Sequence, residues 1–427
     1  MDNAVDLPED GAAAKESVVE RGTAGKCHLG LAKASADTER KHGAEVQEQS
    51  VIPVEPLGAK DCAFWGAQKL PGKIRADGVL PLREQGLGPM LRDVRGRDAV
   101  HDHGALAGVE LWFGGARSAN HYTRETAYDV ASIPNLAGHP YQPRSMDKSD
   151  IRNLRHWHRE AALRAKAAEF DIVYVYATHG YLLSHFLSAE TNDRTDEYGG
   201  SMENRARLLR ELIEETKEAV GDRCAVAVRY SVGGDDGELD TLTNERRDCL
   251  EMLAEYPDLW DININNYERE MGVSRFFESG SLEEYMAFVK SVTTKPVVTV
   301  GRFTSPDAMA SQVRRGIVDF IGAARPSIAD PFLPKKIFEG RLDDIRECIG
   351  CNICYTGDGL GTPIRCTQNP TMGEEYRRQW HPEIIARKDS DSRVLIVGAG
   401  PAGLEAARML GQRGYSVMLA EATRTLG

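Results

Sequence analysis

The sequence predicts an α/β chain. A TIM-type (β/α)8 barrel lacking its first two strands comes first, then a cysteine-rich segment, then the opening βαβ unit of a Rossmann-like domain. Three observations carry this. From about Asp98 onward, six short β-branched runs alternate with amphipathic helical patterns, the mark of parallel βαβ units. Four cysteines stand in one run, C-x2-C-x2-C-x11-C, between Cys348 and Cys366. A strand pattern, a G-x-G-x-x-G turn and a helix pattern follow from Ser392.

Residues 1–97 fit none of these patterns. They show no clear strand and little helical period, and are read either as a disordered leader or as a stretch mistranslated by a reading-frame error upstream of Val100. A barrel closes with eight strands, and six are legible, so the first two are expected to be missing or replaced.

The barrel is assigned to residues 98–345. Its strand-like runs are Ala105–Phe113, Phe170–Ala177, Cys224–Tyr230, Leu259–Asn263, Pro296–Arg302 and Val318–Ala323. Helical patterns lie between them at Ile151–Ala168, Glu203–Val220, Glu245–Glu255, Leu282–Val292 and Pro306–Arg315. Strand ends carrying Arg, Tyr, Glu and Gly favour a barrel over an open doubly wound sheet.

Function in such a barrel sits at the carboxyl ends of the strands. Gly301 and Arg302 follow the fifth run, and Arg325 follows the sixth. As a pair at consecutive strand ends, these loops suit a flavin phosphate, with backbone N–H groups and two cations; taken singly, each Gly-Arg is an ordinary turn. Arg229 ends its strand and needs an anionic partner, either a reduced flavin ring or a neighbouring carboxylate. Glu110 can accept a hydrogen bond from the ring's pyrimidine edge. Tyr176 and His179 close another strand and suit proton handling, although such a pair also occurs as plain structure. Glu270, in the loop after the next strand, can orient His179, and Tyr267 offers an aromatic face to an apolar or cationic substrate.

Residues 346–390 form the cysteine segment. Cys348, Cys351 and Cys354 at steps of three, closed by Cys366, suit a cubane 4Fe–4S cluster. A structural zinc site is the alternative, but zinc ribbons present two separated C-x2-C pairs. In residues 391–427, Gly398, Gly400 and Gly403 open a helix and Glu421 ends the next strand. That context admits a dinucleotide's pyrophosphate at the helix N-terminus, with the acid taking a ribose hydroxyl pair. The unit stops after one βαβ, so the domain is expected to be cut short.

Composition narrows the classes further. The chain has 427 residues, is 41% hydrophobic and 28% charged, and carries a net charge of −12. Such acidity argues against a nucleic-acid partner. No apolar run approaches the roughly 18 residues of a membrane span, and the start lacks a secretory pattern. The remaining cysteines, Cys27, Cys62, Cys224 and Cys249, have no framework spacing, so a reducing cytoplasm is expected.

Together these residues resemble the flavoprotein family of trimethylamine and dimethylamine dehydrogenases, with 2,4-dienoyl-CoA reductase as a relative. The likeness runs from about Val100 to Gly427. RTDEYGGSMENRAR (Arg194–Arg207) is similar to the signature of the old-yellow-enzyme barrel, and CTQNPTMGEEYRRQWHPE (Cys366–Glu383) to the segment after the cluster in amine dehydrogenases. The resemblance implies an FMN barrel, a cluster beside it and a domain binding ADP or FAD. It puts Glu110, Arg229, Gly301, Arg302 and Arg325 on flavin contacts. Tyr176, His179 and, with a carboxylate exchange, Glu270 fall on the catalytic constellation. The family's N-terminal strands and flavin-linking cysteine have no counterpart. Tyr267 stands at one position of the family's aromatic cage and Asp358 at another, which favours an N-methylated compound other than trimethylamine.

The expected activity is dehydrogenation of a methylated amine, with electrons leaving through the cluster to an electron-transferring flavoprotein. Two alternatives stand beside it: an NAD(P)H-dependent enoate or dienoyl-CoA reductase, and a non-functional fragment. A homodimer is left open.

Overall fold

The computed structural model describes residues 30–34, 97–118, 126–134, 142–233, 241–265, 275–359, 362–375, 377 and 383–427. The chain forms two compact units, one of Ser50–Pro382 and a smaller one of Met1–Gln49 with Glu383–Gly427.

Strand β1 (Gly30–Ala34) belongs to the smaller unit. In the larger unit, β2 (Gly108–Leu111), β5 (Ile172–Ala177), β6 (Ala225–Ser231), β7 (Leu259–Asn263), β8 (Val297–Thr299) and β9 (Phe320–Ile321) form one parallel sheet in that order. Two short strands, β3 (Tyr128–Asp129) and β4 (Arg144–Ser145), pair with each other alongside. The six barrel strands are the six runs legible in the sequence, each trimmed or shifted at its ends except β7. The expectation that the first two strands are missing or replaced lies outside the described residues.

Helices cover the outer face: α1 (Lys148–Ala167), α2 (Leu182–Leu187), α3 (Met202–Val220), α4 (Thr241–Leu253), α5 (Glu283–Met286), α6 (Val289–Val292) and α7 (Pro306–Arg314). The capping box at the start of α1 is complete: Asp147 accepts from the Ser149 and Asp150 amides, and Asp150 caps the Asp147 amide, which fixes where the helix begins. Ser201 caps α3, whose buried Leu208, Leu209, Leu212 and Ile213 repeat at helical spacing against the sheet. The single helix expected over Leu282–Val292 is instead the two short pieces α5 and α6.

The strands read as continuous apolar runs because both faces are covered. Val173, Val175, Val226, Val228 and Ile262 face the helices in the main core. Ile172, Tyr174, Ala227, Leu259 and Val298 form a separate inner cluster. A strand alternates its side chains between faces. The inner set therefore continues upward to Tyr176, Arg229 and Asp261, and that parity brings the candidate site to the barrel mouth.

Beyond β9 come α8 (Ala324–Ala329), α9 (Leu333–Phe338) and α10 (Ile353–Gly359). In the smaller unit β10 (Arg393–Val397), α11 (Pro401–Arg413) and β11 (Ser416–Glu421) make one parallel βαβ unit. β1 adds antiparallel to the other edge of β11. The expectation of no strand in the first hundred residues is corrected here: GLAKA, too short and too glycine- and lysine-bearing to stand out, is a strand because β11 offers it unpaired N–H and C=O groups. Among the described residues no helix is long and apolar enough to cross a membrane.

Candidate functional site

Register brings three side chains to one level: Tyr176 is opposite Arg229, and Arg229 is opposite Asp261. Arg229 Nη1 donates to Glu110 Oε1 at 3.3 Å, and its Nε lies 3.6 Å from Asp261 Oδ2. With the Asn263 amide oriented to satisfy its neighbours, its oxygen accepts from Arg229 Nε at 3.2 Å and its nitrogen donates to Thr178 Oγ1 at 2.6 Å. The guanidinium carbon is 5.5 Å from the Tyr176 ring centroid. A largely buried cation is thus neutralised by carboxylates from two strands, β2 and β7. Of the two expectations for Arg229, the structure holds the carboxylate partner. Asp261 was not singled out, although an acid inside the apolar run LWDIN signals a buried cation partner.

Above this layer the Tyr176 hydroxyl lies 2.6 Å from His179 Nδ1. His179 is buried and adopts φ +60°, followed by Gly180 at φ +64°. A left-handed histidine is uncommon, and here the turn folds the imidazole back over the strand end it has just left. Tyr181 packs edge-on against Tyr176, with centroids 5.5 Å apart, and Trp112 packs edge-on against Tyr181 at 5.2 Å. Trp112 and Tyr181 were missed, yet each sits two residues beyond a named one, Glu110 and His179. Glu270 and Tyr267 lie outside the described residues.

Gly301 and Arg302 turn out of β8, with Arg302 at φ +48°. Its Nη2 donates to the Phe277 carbonyl, while its Nε is buried without a hydrogen-bond partner among the described residues. An orphaned buried guanidinium donor beside a glycine fits an anionic group such as a flavin phosphate. At the next strand end Arg325 Nη1 donates to Asn352 Oδ1 at 2.7 Å. The arginine that follows β9 therefore grips the cysteine segment.

That segment is tied down elsewhere too. The Arg346 amide donates to Asp330 Oδ2 at 3.0 Å, and Lys336 Nζ meets the same oxygen at 2.8 Å. Asn369 Nδ2 donates to the Ile328 carbonyl at 3.0 Å. Between these anchors Gly350 and Asn352 take left-handed φ values of +66° and +59°, bending the chain at each C-x2-C step. Burial pushes the Cys354 thiol up, as do Cys348 and Cys366 nearby, while the Tyr355 amide and Arg325 oppose the rise. Burial also raises Cys351, but the Thr367 hydroxyl and the Ile353, Cys351 and Thr367 amides outweigh it and hold that thiol below its ordinary value. Four free thiols on one loop, with N–H donors around Cys351, are the kind of donor set that a thiolate-bound cluster takes. No three described His, Cys, Asp or Glu side chains converge on a single ion.

The signature Arg194–Arg207 is scaffolding. Arg194 clasps Asp196 at 3.0 and 2.6 Å, Tyr198 donates to Glu211 at 2.9 Å, and Arg205 Nε donates to the Leu187 carbonyl at 2.8 Å. In the smaller unit Gly400 caps α11, and any Cβ at Gly403 would collide with the Gly398 carbonyl. Glu421 accepts from the Ala399 and Thr423 amides at 2.7 and 3.0 Å. These bonds hold its carboxyl below the usual range.

These features define a flavin-type barrel, and the chain belongs to the NADH:flavin oxidoreductase / NADH oxidase family, whose profile matches residues 95–344. Within it the chain is amine-dehydrogenase-like. It is 43% identical to dimethylamine dehydrogenase of Hyphomicrobium sp. (strain x) over 347 residues, covering 77% of this chain and 46% of that one. Histamine dehydrogenase from Rhizobium sp. 4-9 matches with TM-score 0.75 and 53% identity, covering 79% of this chain and 50% of the other. The 6-hydroxypseudooxynicotine amine oxidase from Pseudomonas geniculata N1 matches with TM-score 0.75 and 52% identity, covering 79% and 51%. An FAD binding domain profile matches residues 391–426. The chain spans about half the length of these relatives.

Proposed function

We propose that this chain is the substrate-oxidising and electron-relaying part of an amine dehydrogenase. The observation that carries this is the Tyr176–His179 pair, 2.6 Å apart, at a barrel mouth whose next loop is bonded to the four-cysteine segment. When bound, FMN supplies a two-electron acceptor and a cubane cluster a one-electron relay. Glu110, Arg229, Gly301, Arg302 and Arg325 would hold the flavin; Cys348, Cys351, Cys354 and Cys366 would hold the cluster. Gly398, Gly400, Gly403 and Glu421 would take FAD or ADP.

The chain's own groups handle the proton and the orientation. The Tyr176 hydroxyl passes its proton to His179 Nδ1 and takes one from the substrate nitrogen as the neighbouring C–H bond is oxidised. Trp112 and Tyr181 present an aromatic face beside Tyr176. Asp358 replaces an aromatic residue of the family's cage, which favours amines that keep an N–H, like the histamine and dimethylamine named for the relatives, over trimethylamine. Electrons leave to an electron-transferring flavoprotein in the cytoplasm.

Anaerobic addition of dimethylamine and histamine to the flavin-loaded chain tests this. Bleaching of the flavin absorbance is expected. A spectrum unchanged by every amine, with steady NADPH oxidation on an enoyl thioester, would replace it with the reductase function.

A further inference from the structure

We infer a second recognition subsite beside the first, built for an anionic oxygen group on the substrate. It deepens the amine-dehydrogenase proposal and rests on it for its biological meaning. Its elements are Arg117, Gly180 and the His185–Asp129 pair.

Gly180 separates His179 from Tyr181, and its missing side chain leaves a hollow. A Cβ there would be 3.7 Å from Arg117 Nη2 and 3.7 Å from His185 Nε2. One cationic donor, Arg117 Nη2, and one ring nitrogen, His185 Nε2, therefore flank one point above a left-handed glycine. Arg117 is the informative member. Its guanidinium lies 5.5 Å from the Tyr181 ring centroid, and no carboxylate among the described residues pairs with it. An arginine at a pocket wall with only an aromatic face for a partner keeps its forked donors available for a planar oxyanion.

His185 is held in place from behind. Its Nδ1 lies 2.9 Å from Asp129 Oδ2. Asp129 is buried and also accepts the Ala116 and Val130 amides, each at 2.6 Å. This carboxylate fixes the ring, so that Nδ1 donates inward and the other edge of the ring lines the Gly180 hollow. Asp129 is a positioning residue, His185 shapes the hollow, and Arg117 makes the charged contact.

The arrangement selects for a carboxylate, or an equivalent anionic oxygen, set one ring away from the nitrogen being oxidised. Tyr181 stands between the two loci, in contact with Tyr176 on one side and Arg117 on the other. A substrate carrying both an amine and an anionic group spans them.

The test needs neither turnover nor flavin. Sodium acetate is titrated into the full chain, with sodium chloride as the ionic-strength control, and indole fluorescence is followed, since Trp112 packs on Tyr181. Saturable quenching that disappears in Trp112→Phe is expected. Arg117→Met weakens acetate binding about tenfold or more, the scale of one charge-assisted hydrogen bond. Arg117→Lys, which keeps the charge, retains most of the affinity, and His185→Gln weakens binding less than Arg117→Met. No saturable acetate signal in the wild type, or equal affinity in wild type and Arg117→Met, overturns the subsite. Failure of every amine to bleach the flavin would sink the amine proposal while leaving the acetate result intact, so the two failures are separable.

Discussion

Arg325 Nη1 donates to Asn352 Oδ1 at 2.7 Å, joining the loop after the last barrel strand to the centre of the cysteine motif. Arg325 is thus placed to serve an anion in the barrel mouth and the fold of the cluster loop together. Asn352, at φ +59°, is a residue type that tolerates this backbone, and its side chain is the handle.

Arg325→Met removes that bond. The contact is charge-assisted and worth about 1.5–3 kcal/mol, so the loop around Cys351 and Cys354 loosens. Iron retained per chain after anaerobic gel filtration should fall severalfold, while the far-UV circular dichroism of the barrel stays at the wild-type signal.

Tyr176→Phe deletes the hydroxyl that faces His179 and keeps the ring. Proton transfer by a positioned side chain contributes roughly 10²–10⁴-fold. Stopped-flow flavin reduction by an amine should slow by about 10²-fold or more, with little change in the amine concentration at half-saturation.

Lys336 and Asp330 form a fully buried ion pair, with Nζ to Oδ2 at 2.8 Å, and Lys336 also donates to the Asp344 carbonyl at 2.9 Å. Lys336→Met leaves a buried carboxylate uncompensated, a change that costs about 3–5 kcal/mol. Urea unfolding should show that loss, and Asp330→Asn added to Lys336→Met should recover part of it.

His158 is half-buried between α1 and α3, with Nε2 3.1 Å from Thr216 Oγ1. Burial lowers its pKa to about 4, below the unfolded value near 6.5. The folded state therefore prefers the neutral ring. Stability is full above about pH 6.5 and is lost as pH falls toward 4, because the unfolded chain binds the proton first. His158→Gln should flatten the slope of unfolding free energy against pH across that window.

Much of the barrel was legible because parallel strands are buried on both faces and read as apolar runs; Leu259–Asn263 matched to the residue. Pro296–Arg302 shrank to Val297–Thr299 because Gly301 and Arg302 leave the sheet to make the anion loop. Of the site, Tyr176, His179, Arg229 and Glu110 could be named since each ends a strand. Asp261, Trp112 and Tyr181 could not, since their roles depend on cross-strand register and on a turn after His179. Arg117 and His185 come together only through the Gly180 turn, between segments 68 residues apart in sequence, and no local pattern announces that.

The central claim, a cluster held by four cysteines at the edge of a flavin barrel, is tested most directly by metal and acid-labile sulfide analysis of the anaerobically purified chain. About four irons and four sulfides per chain are expected for a cubane held by Cys348, Cys351, Cys354 and Cys366. About one zinc per chain with no labile sulfide would contradict it.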